Sequence, residues 1–277
     1  MECPDLSLPP KPPRIGVFDS GLGGVSVLRA LRAARPDADL IYAADSGHAP
    51  YGERDAGHVL ARSEVLTEHL LAEGAELLVI ACNTATAVAA AALRARHPDL
   101  GIVGVEPGLK PALAASPGGR IGVMATQATL GSPKFRRLLD ELLAGAPAGT
   151  RIHLQACPGL AAAIEAGEPD SPAVRAAVAP HAAALRAHGV DTVVLGCTHY
   201  PFAAGPIAEA LGPGVRLIDT AEAVARQASR RIGARPPADA GASGGLALWT
   251  SGVPDTLARF VARGLGLPAL PVRRLPR

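Results

Sequence analysis

Aromatic side chains are scarce in this chain: phenylalanine, tyrosine and tryptophan make up 3% of its 277 residues. That is too few for the ring platforms on which proteins stack nucleic-acid bases. An excess of either charge is also missing. The 27 lysines and arginines are interspersed with 25 aspartates and glutamates, for a formal net charge of +2. No basic stripe therefore points to nucleic acid or to an acidic membrane surface. Apolar runs long enough to cross a bilayer, about 18 residues or more, are absent, and the opening MECPDLSLPPKPPR is proline-rich without the apolar centre of a signal peptide. These absences predict a cytoplasmic protein whose residues 1–13 form a loose arm. Cysteine is sparse too. Cys3, Cys82, Cys157 and Cys197 include no C-x-x-C pair, which excludes zinc-finger and disulfide frameworks and predicts free thiols in a reducing compartment. The histidines at 48, 58, 69, 97, 153, 181 and 188 show no ligand spacing, so no metal site is expected.

What the chain does contain is apolar: 48% of its residues are hydrophobic and 19% charged, enough to bury one large core or two smaller ones. Strand-like runs at 14–18, 40–44, 77–81, 101–105, 120–125, 151–156, 191–196 and 215–219 alternate with alanine- and leucine-rich helical stretches. This alternation is the pattern of α/β units on parallel sheets. The pattern also repeats. Ile15-Gly16-Val17 leads to Asp19-Ser20, and Ile121-Gly122-Val123 leads to Thr126; a comparable distance beyond each, an apolar strand ends in Cys82 or in Cys197. Two pseudo-symmetric α/β halves are expected. The turn-rich stretch at 105–119 is the crossover, and ADAGASGG at 238–245 is a flexible connection to a last strand and helix that rejoin the first half. The predicted domains are therefore 1–107 with 221–277, and 108–220.

In the stretch LVIACNTAT, Cys82 sits where a buried strand gives way to a helix. A lone cysteine there reads as a small buried hydrophobe; Cys157, before a proline, and Cys3, in the arm, are read as packing or incidental exposure. The second cysteine changes the reading of Cys82. Ligands in open α/β sheets bind beyond the carboxyl ends of strands, so two facing ends would place one sulfur on each wall of a shared cleft. Taking a proton from one face of a chiral carbon and returning it to the other needs such a base and acid. The helix N-terminus would bias each thiol toward thiolate, with Asp19 and His199 as polar neighbours. Asp19 also fits a helix cap. The GLGG run at 21–24 lacks the spacing of a dinucleotide loop.

The ordered motifs GVFDSGLGG (16–24), ADSGHAPYGER (44–54), ACNTAT (81–86), ACPGL (156–160), IEAGE (164–168) and GCTHYPF (196–202) together resemble the glutamate racemase family over roughly residues 14–260. The resemblance implies two flavodoxin-like α/β domains with the active site in the cleft between them, a homodimer, no cofactor, and L- and D-glutamate as substrates, with D-glutamate going to peptidoglycan. It implies Cys82 as the base toward the D-enantiomer and Cys197 toward the L-enantiomer, assisted by Asp19, His199 and Glu165. Substrate contacts map to Asp19, Ser20, Pro50, Tyr51, Gly52, Cys82, Asn83, Thr84, Thr126, Cys197, Thr198 and His199. The chain departs from the common spelling at Ser46-Gly47-His48 and at Val253, which bears on loop detail and subunit contacts. Two other readings stay open: a racemase or decarboxylase for aspartate or another acidic substrate, and a non-catalytic binding protein for an acidic ligand.

Overall fold

The computed structural model describes residues 11–233 and 243–276. Most of the expected arm and of the 238–245 connection, and Cys3, lie outside the described residues. The first stretch runs β1 (Arg14–Asp19), α1 (Val25–Ala34), β2 (Asp39–Ala44), α2 (Ala56–Ala72), β3 (Leu77–Ile80), α3 (Asn83–Arg96) and β4 (Gly101–Gly104). After α4 (Leu109–Ala115) come β5 (Arg120–Ala125), α5 (Gln127–Gly131), α6 (Pro133–Ala144), β6 (Arg151–Ala156), α7 (Leu160–Ala166) and α8 (Pro172–Ala187). They are followed by β7 (Thr192–Gly196), α9 (Ala204–Leu211) and β8 (Arg216–Ile218). The chain closes with α10 (Ala221–Ile232), β9 (Leu246–Thr250), α11 (Pro254–Leu265) and β10 (Val272–Arg274).

Two parallel sheets result, ordered β10-β9-β2-β1-β3-β4 and β6-β5-β7-β8. The order β2-β1-β3-β4 in the first is repeated by β6-β5-β7-β8 in the second, so the internal repeat seen in the sequence is a repeat of topology. The first sheet is longer because β9 adds to the outer side of β2, pairing Leu40 with Leu246 and Ala44 with Thr250. Strand β3 is buried throughout, as is β7. Burial on both faces is why these strands read as unbroken apolar runs and not as alternation. Ile15 and Val17 of β1 join the core under α1 and α10, while Phe18 turns to the opposite core under α2 and α3.

The glycine of each Ile-Gly-Val repeat has a steric reason. A Cβ on Gly16 would stand 3.0 Å from Cβ of Leu70 in α2, and one on Gly122 would stand 3.0 Å from Leu185 of α8. Each central strand thus lets the helix that precedes its cysteine strand settle directly upon it. The turn-rich crossover contains a short helix, α4. Leu109 and Ala112, three residues apart on one face, are buried against Ile121 and Val123, and Pro111 falls in the first turn, where its missing N–H costs no helical bond. Among the described residues no helix is long and apolar enough to cross a membrane.

Candidate active site

The order of the strands fixes where the site forms. In each sheet the chain moves outward in both directions from the central strand, and the crevice at that switch point lies beyond the carboxyl ends of β1 and β3, or of β5 and β7. Asp19 and Ser20 leave β1 there, and Cys82 leaves β3. Cys82 is extended (φ −140°, ψ 123°) and caps α3, its sulfur accepting from the Ala85 N–H at 3.4 Å. Thr126 leaves β5 and caps α5. Cys197, Thr198 and His199 leave β7 and are all buried.

The two crevices open into one cavity of about 540 Å³, lined from one side by Ser20, Pro50, Tyr51, Gly52, Cys82, Asn83 and Thr84 and from the other by Thr126, Glu165, Cys197, Thr198 and His199. Its size suits a small-molecule ligand. Of the catalytic and substrate-binding candidates, Asp19 alone stands behind the lining, with no exposed surface. Hydroxyl contacts join the walls: Thr84 and Thr126 lie 3.1 Å apart, Thr84 and Thr129 3.4 Å. Both polar atoms of the Asn83 amide are buried without a hydrogen-bond partner beside this cavity.

Each sulfur starts a short polar chain. The Cys82 thiol donates to Ser20 Oγ at 3.5 Å, and Ser20 Oγ donates to Asp19 Oδ1 at 3.3 Å. Asp19 also accepts from the Ser20 N–H at 2.7 Å, from the Gly24 N–H at 2.5 Å and from the Thr198 hydroxyl at 3.4 Å. The carboxylate therefore both braces the loop entering α1 and reaches across the cleft. On the other wall, Cys197 Sγ lies 3.5 Å from His199 Nδ1, and His199 Nε2 lies 2.6 Å from Glu165 Oε1, which accepts the Leu22 N–H at 2.7 Å.

These neighbours set the protonation states. Burial disfavours an imidazolium at His199, but Cys197 and Glu165 beside it hold its pKa well above the ordinary value. Burial likewise works against the Glu165 carboxylate, and the bond to His199 wins, keeping that pKa below normal. Burial raises the Asp19 pKa against the pull of His199 and of its backbone donors. At Cys82 the thiolate bias expected from the helix N-terminus is overturned. Loss of water, with the charge of Asp19 added, pushes this thiol up, and the donors at Ala85 and Ser20 only moderate the shift.

Several residues of the site escaped the sequence reading. Asp45, fully buried, accepts the Tyr51 hydroxyl at 2.6 Å and the Arg62 guanidinium at 2.9 and 2.8 Å. These bonds hold the Asp45 carboxyl below its usual range despite burial, and they hold Tyr51 against the cavity. A signal existed, since Ala44-Asp45-Ser46 ends β2 just as Phe18-Asp19-Ser20 ends β1. The GLGG run also gains a use. A Cβ on Gly21 would strike the Glu165 carboxylate and one on Gly23 the His199 ring, while the Gly23 N–H points at His199 Nε2 from 3.1 Å. Ser46, Gly47 and Val253, where the spelling departs from the common one, line the cavity; they therefore shape its mouth as well as the surface. Cys157 is 3% exposed, donates to the Gln155 carbonyl at 3.4 Å and has its pKa pushed up to about 12 by burial. It is not part of the cavity lining.

The sequence signature of the family described as Asp/Glu/Hydantoin racemase matches residues 25–228. A glutamate racemase of Ectopseudomonas mendocina is 53% identical over 79% of this chain and 82% of its own. One of Pseudomonas aeruginosa is 44% identical over 92% of this chain and 94% of its own. Among solved structures, glutamate racemase isoform RacE1 from Bacillus anthracis matches with a TM-score of 0.82 and 30% identity, covering 96% of this chain and 97% of the other. The Escherichia coli glutamate racemase in complex with L-glutamate and the activator UDP-MurNAc-ala matches with a TM-score of 0.77 and 27% identity, covering 95% and 98%.

Proposed function

The chain belongs to the Asp/Glu/Hydantoin racemase family, and from that premise we propose that it is a glutamate racemase, interconverting L- and D-glutamate by proton transfer between two thiols without a cofactor. One observation carries the reading: Cys82 and Cys197 line a single cavity from the ends of equivalent strands in two repeated sheets. A carbon held between them presents one face to each sulfur.

From L-glutamate, Cys197 as thiolate takes the α-proton while Cys82 as thiol delivers one to the opposite face; from D-glutamate the roles exchange. A Cys197 thiolate beside a His199 imidazolium holds the same number of protons as a thiol beside a neutral ring. His199 thus makes the base available without drawing on bulk water, and Glu165 stabilises the imidazolium. On the other wall, Ser20, itself held by Asp19, accepts the Cys82 S–H and fixes the place of that sulfur. Asn83, Thr84, Thr126 and Thr198, with the N-terminus of α3, offer the amide and hydroxyl donors that two carboxylates require. Tyr51 and Gly52 border the same space.

The product D-glutamate serves peptidoglycan synthesis, a cytoplasmic process, and the working unit is a homodimer of subunits divided into 1–107 with 221–277 and 108–220. The pairing of β9 with β2 supports that division. The test is purified protein with L-glutamate in heavy water. Decay of optical rotation with one deuterium at the α-carbon of the product is expected, with no such decay for L-aspartate. Rotation that persists while glutamate binds would reduce the protein to a binding module.

A further inference from the structure

The walls of the cleft must keep a fixed relation if two sulfurs are to reach one carbon, and a residue outside the cavity sits where that relation is set. Ser26, in the first turn of α1, is 2% exposed and does not line the cavity. Its hydroxyl lies 2.9 Å from the Gly23 carbonyl and 2.9 Å from the Thr198 carbonyl. The first contact has the local geometry of a helical serine toward the residue three before it, but the Gly23 carbonyl already accepts the Ser26 N–H at 3.0 Å, which frees the one hydroxyl proton for Thr198. The second is not local; it reaches from the first turn of α1 to the turn that carries Cys197 and His199.

Gly23 has an additional contact. Its N–H faces His199 Nε2 at 3.1 Å, and the absence of a Cβ lets the imidazole pack directly on the loop. The neighbouring Leu22 N–H holds Glu165. One hydroxyl therefore joins the loop whose amides touch the His199–Glu165 pair to the peptide between Cys197 and His199. We propose that Ser26 is a positioning residue for the Cys197 acid–base group, clamping the 196–199 turn against the Gly21–Gly24 loop so that sulfur, imidazole and carboxylate keep their spacing. The proposal rests on the two-thiol reading above and adds to it a residue that touches no substrate.

Removing the hydroxyl leaves the buried Thr198 carbonyl without this donor, and loss of such a bond corresponds to about a tenfold effect. Ser26→Ala is therefore expected to lower kcat about tenfold with KM nearly unchanged. kcat/KM must fall equally in both directions, because the two enantiomers are equal in energy. The decisive measurement does not need turnover. Alkylation by iodoacetamide, followed separately at the Cys82 and Cys197 peptides, should change at Cys197 by about threefold or more in Ser26→Ala and stay constant at Cys82. Ser26→Thr, which keeps the hydroxyl, should retain the wild-type ratio. An unchanged ratio in the alanine variant, equal changes at both sulfurs, or a threonine variant that behaves like alanine would overturn the assignment. A wild-type protein that fails to racemise glutamate would remove the proposed function, and the alkylation ratio would still decide the role of Ser26.

Discussion

The wall that carries Cys82 and the wall that carries Cys197 share strand order, the packing glycine of the central strand and the placement of the sulfur, yet they surround that sulfur with different chemistry. Cys82 passes through a neutral hydroxyl to a buried carboxylate whose charge opposes the thiolate. Cys197 passes through an imidazole, held in its charged form by the same sulfur and by Glu165. Duplication of a fold preserved the geometry that two-sided proton transfer needs. Divergence at the strand ends gives one sulfur a neutral hydroxyl as its neighbour and the other an imidazole.

Changes that remove a sulfur should break this comparison most severely. Cys82→Ser and Cys197→Ser are each expected to lower racemisation by about a thousandfold or more, since a serine hydroxyl, unlike a thiol, does not ionise to a usable base near neutral pH. The check is circular dichroism, together with α-deuteration of the unreacted enantiomer. Exchange should survive only for the enantiomer facing the remaining thiol, L-glutamate in Cys82→Ser and D-glutamate in Cys197→Ser. Equal activity of either variant with wild type would end the two-base scheme.

Next come the neighbours. His199→Asn removes the charged partner and should cost about a hundredfold in kcat, whereas Ser20→Ala, which removes a neutral relay, should cost about tenfold. Initial rates at saturating glutamate compare the two; similar losses would mean that the walls do not differ in kind. At the bridge between the walls, Thr84→Val should raise KM a few-fold with kcat little altered, because it removes a contact with Thr126 and a donor to substrate without touching either sulfur.

The smallest expected effect is a pH dependence of stability. The folded pKa of His199 lies above its unfolded value of about 6.5. Its contribution is therefore complete below about pH 6.5 and is lost as pH rises through the folded value. The melting-temperature gap between wild type and His199→Asn should be widest in mild acid and narrow in alkali. A gap that widens with pH would reverse the sign assigned here.

Much of the fold was legible because parallel strands buried on both faces write themselves as short apolar runs, and because the duplication wrote the same run twice. Cys82 and Cys197 stood out for that second reason. Asp45 and Arg62 did not, since a carboxylate and a guanidinium seventeen positions apart carry no spacing that marks them as a buried pair. The role of the GLGG run was also hidden. Gly21 and Gly23 answer to Glu165 and His199, which approach from the other sheet. Val253 reached the cavity mouth because β9 returns to pair with β2, and only that pairing places 250–253 beside 44–47. The thiolate expectation at Cys82 failed for want of a burial depth, which no local pattern supplies.

Sequence alone determined the alternation of strands and helices, the internal repeat, and the positions at which each sulfur leaves its strand, because these follow from local hydrophobic period and turn chemistry. Tertiary structure decided which partner each sulfur meets and how far water is excluded from it. Protonation depends on desolvation and on charges within a few ångströms, and those distances exist only once residues 20, 82, 165 and 199 have been brought together by the packing of the two sheets.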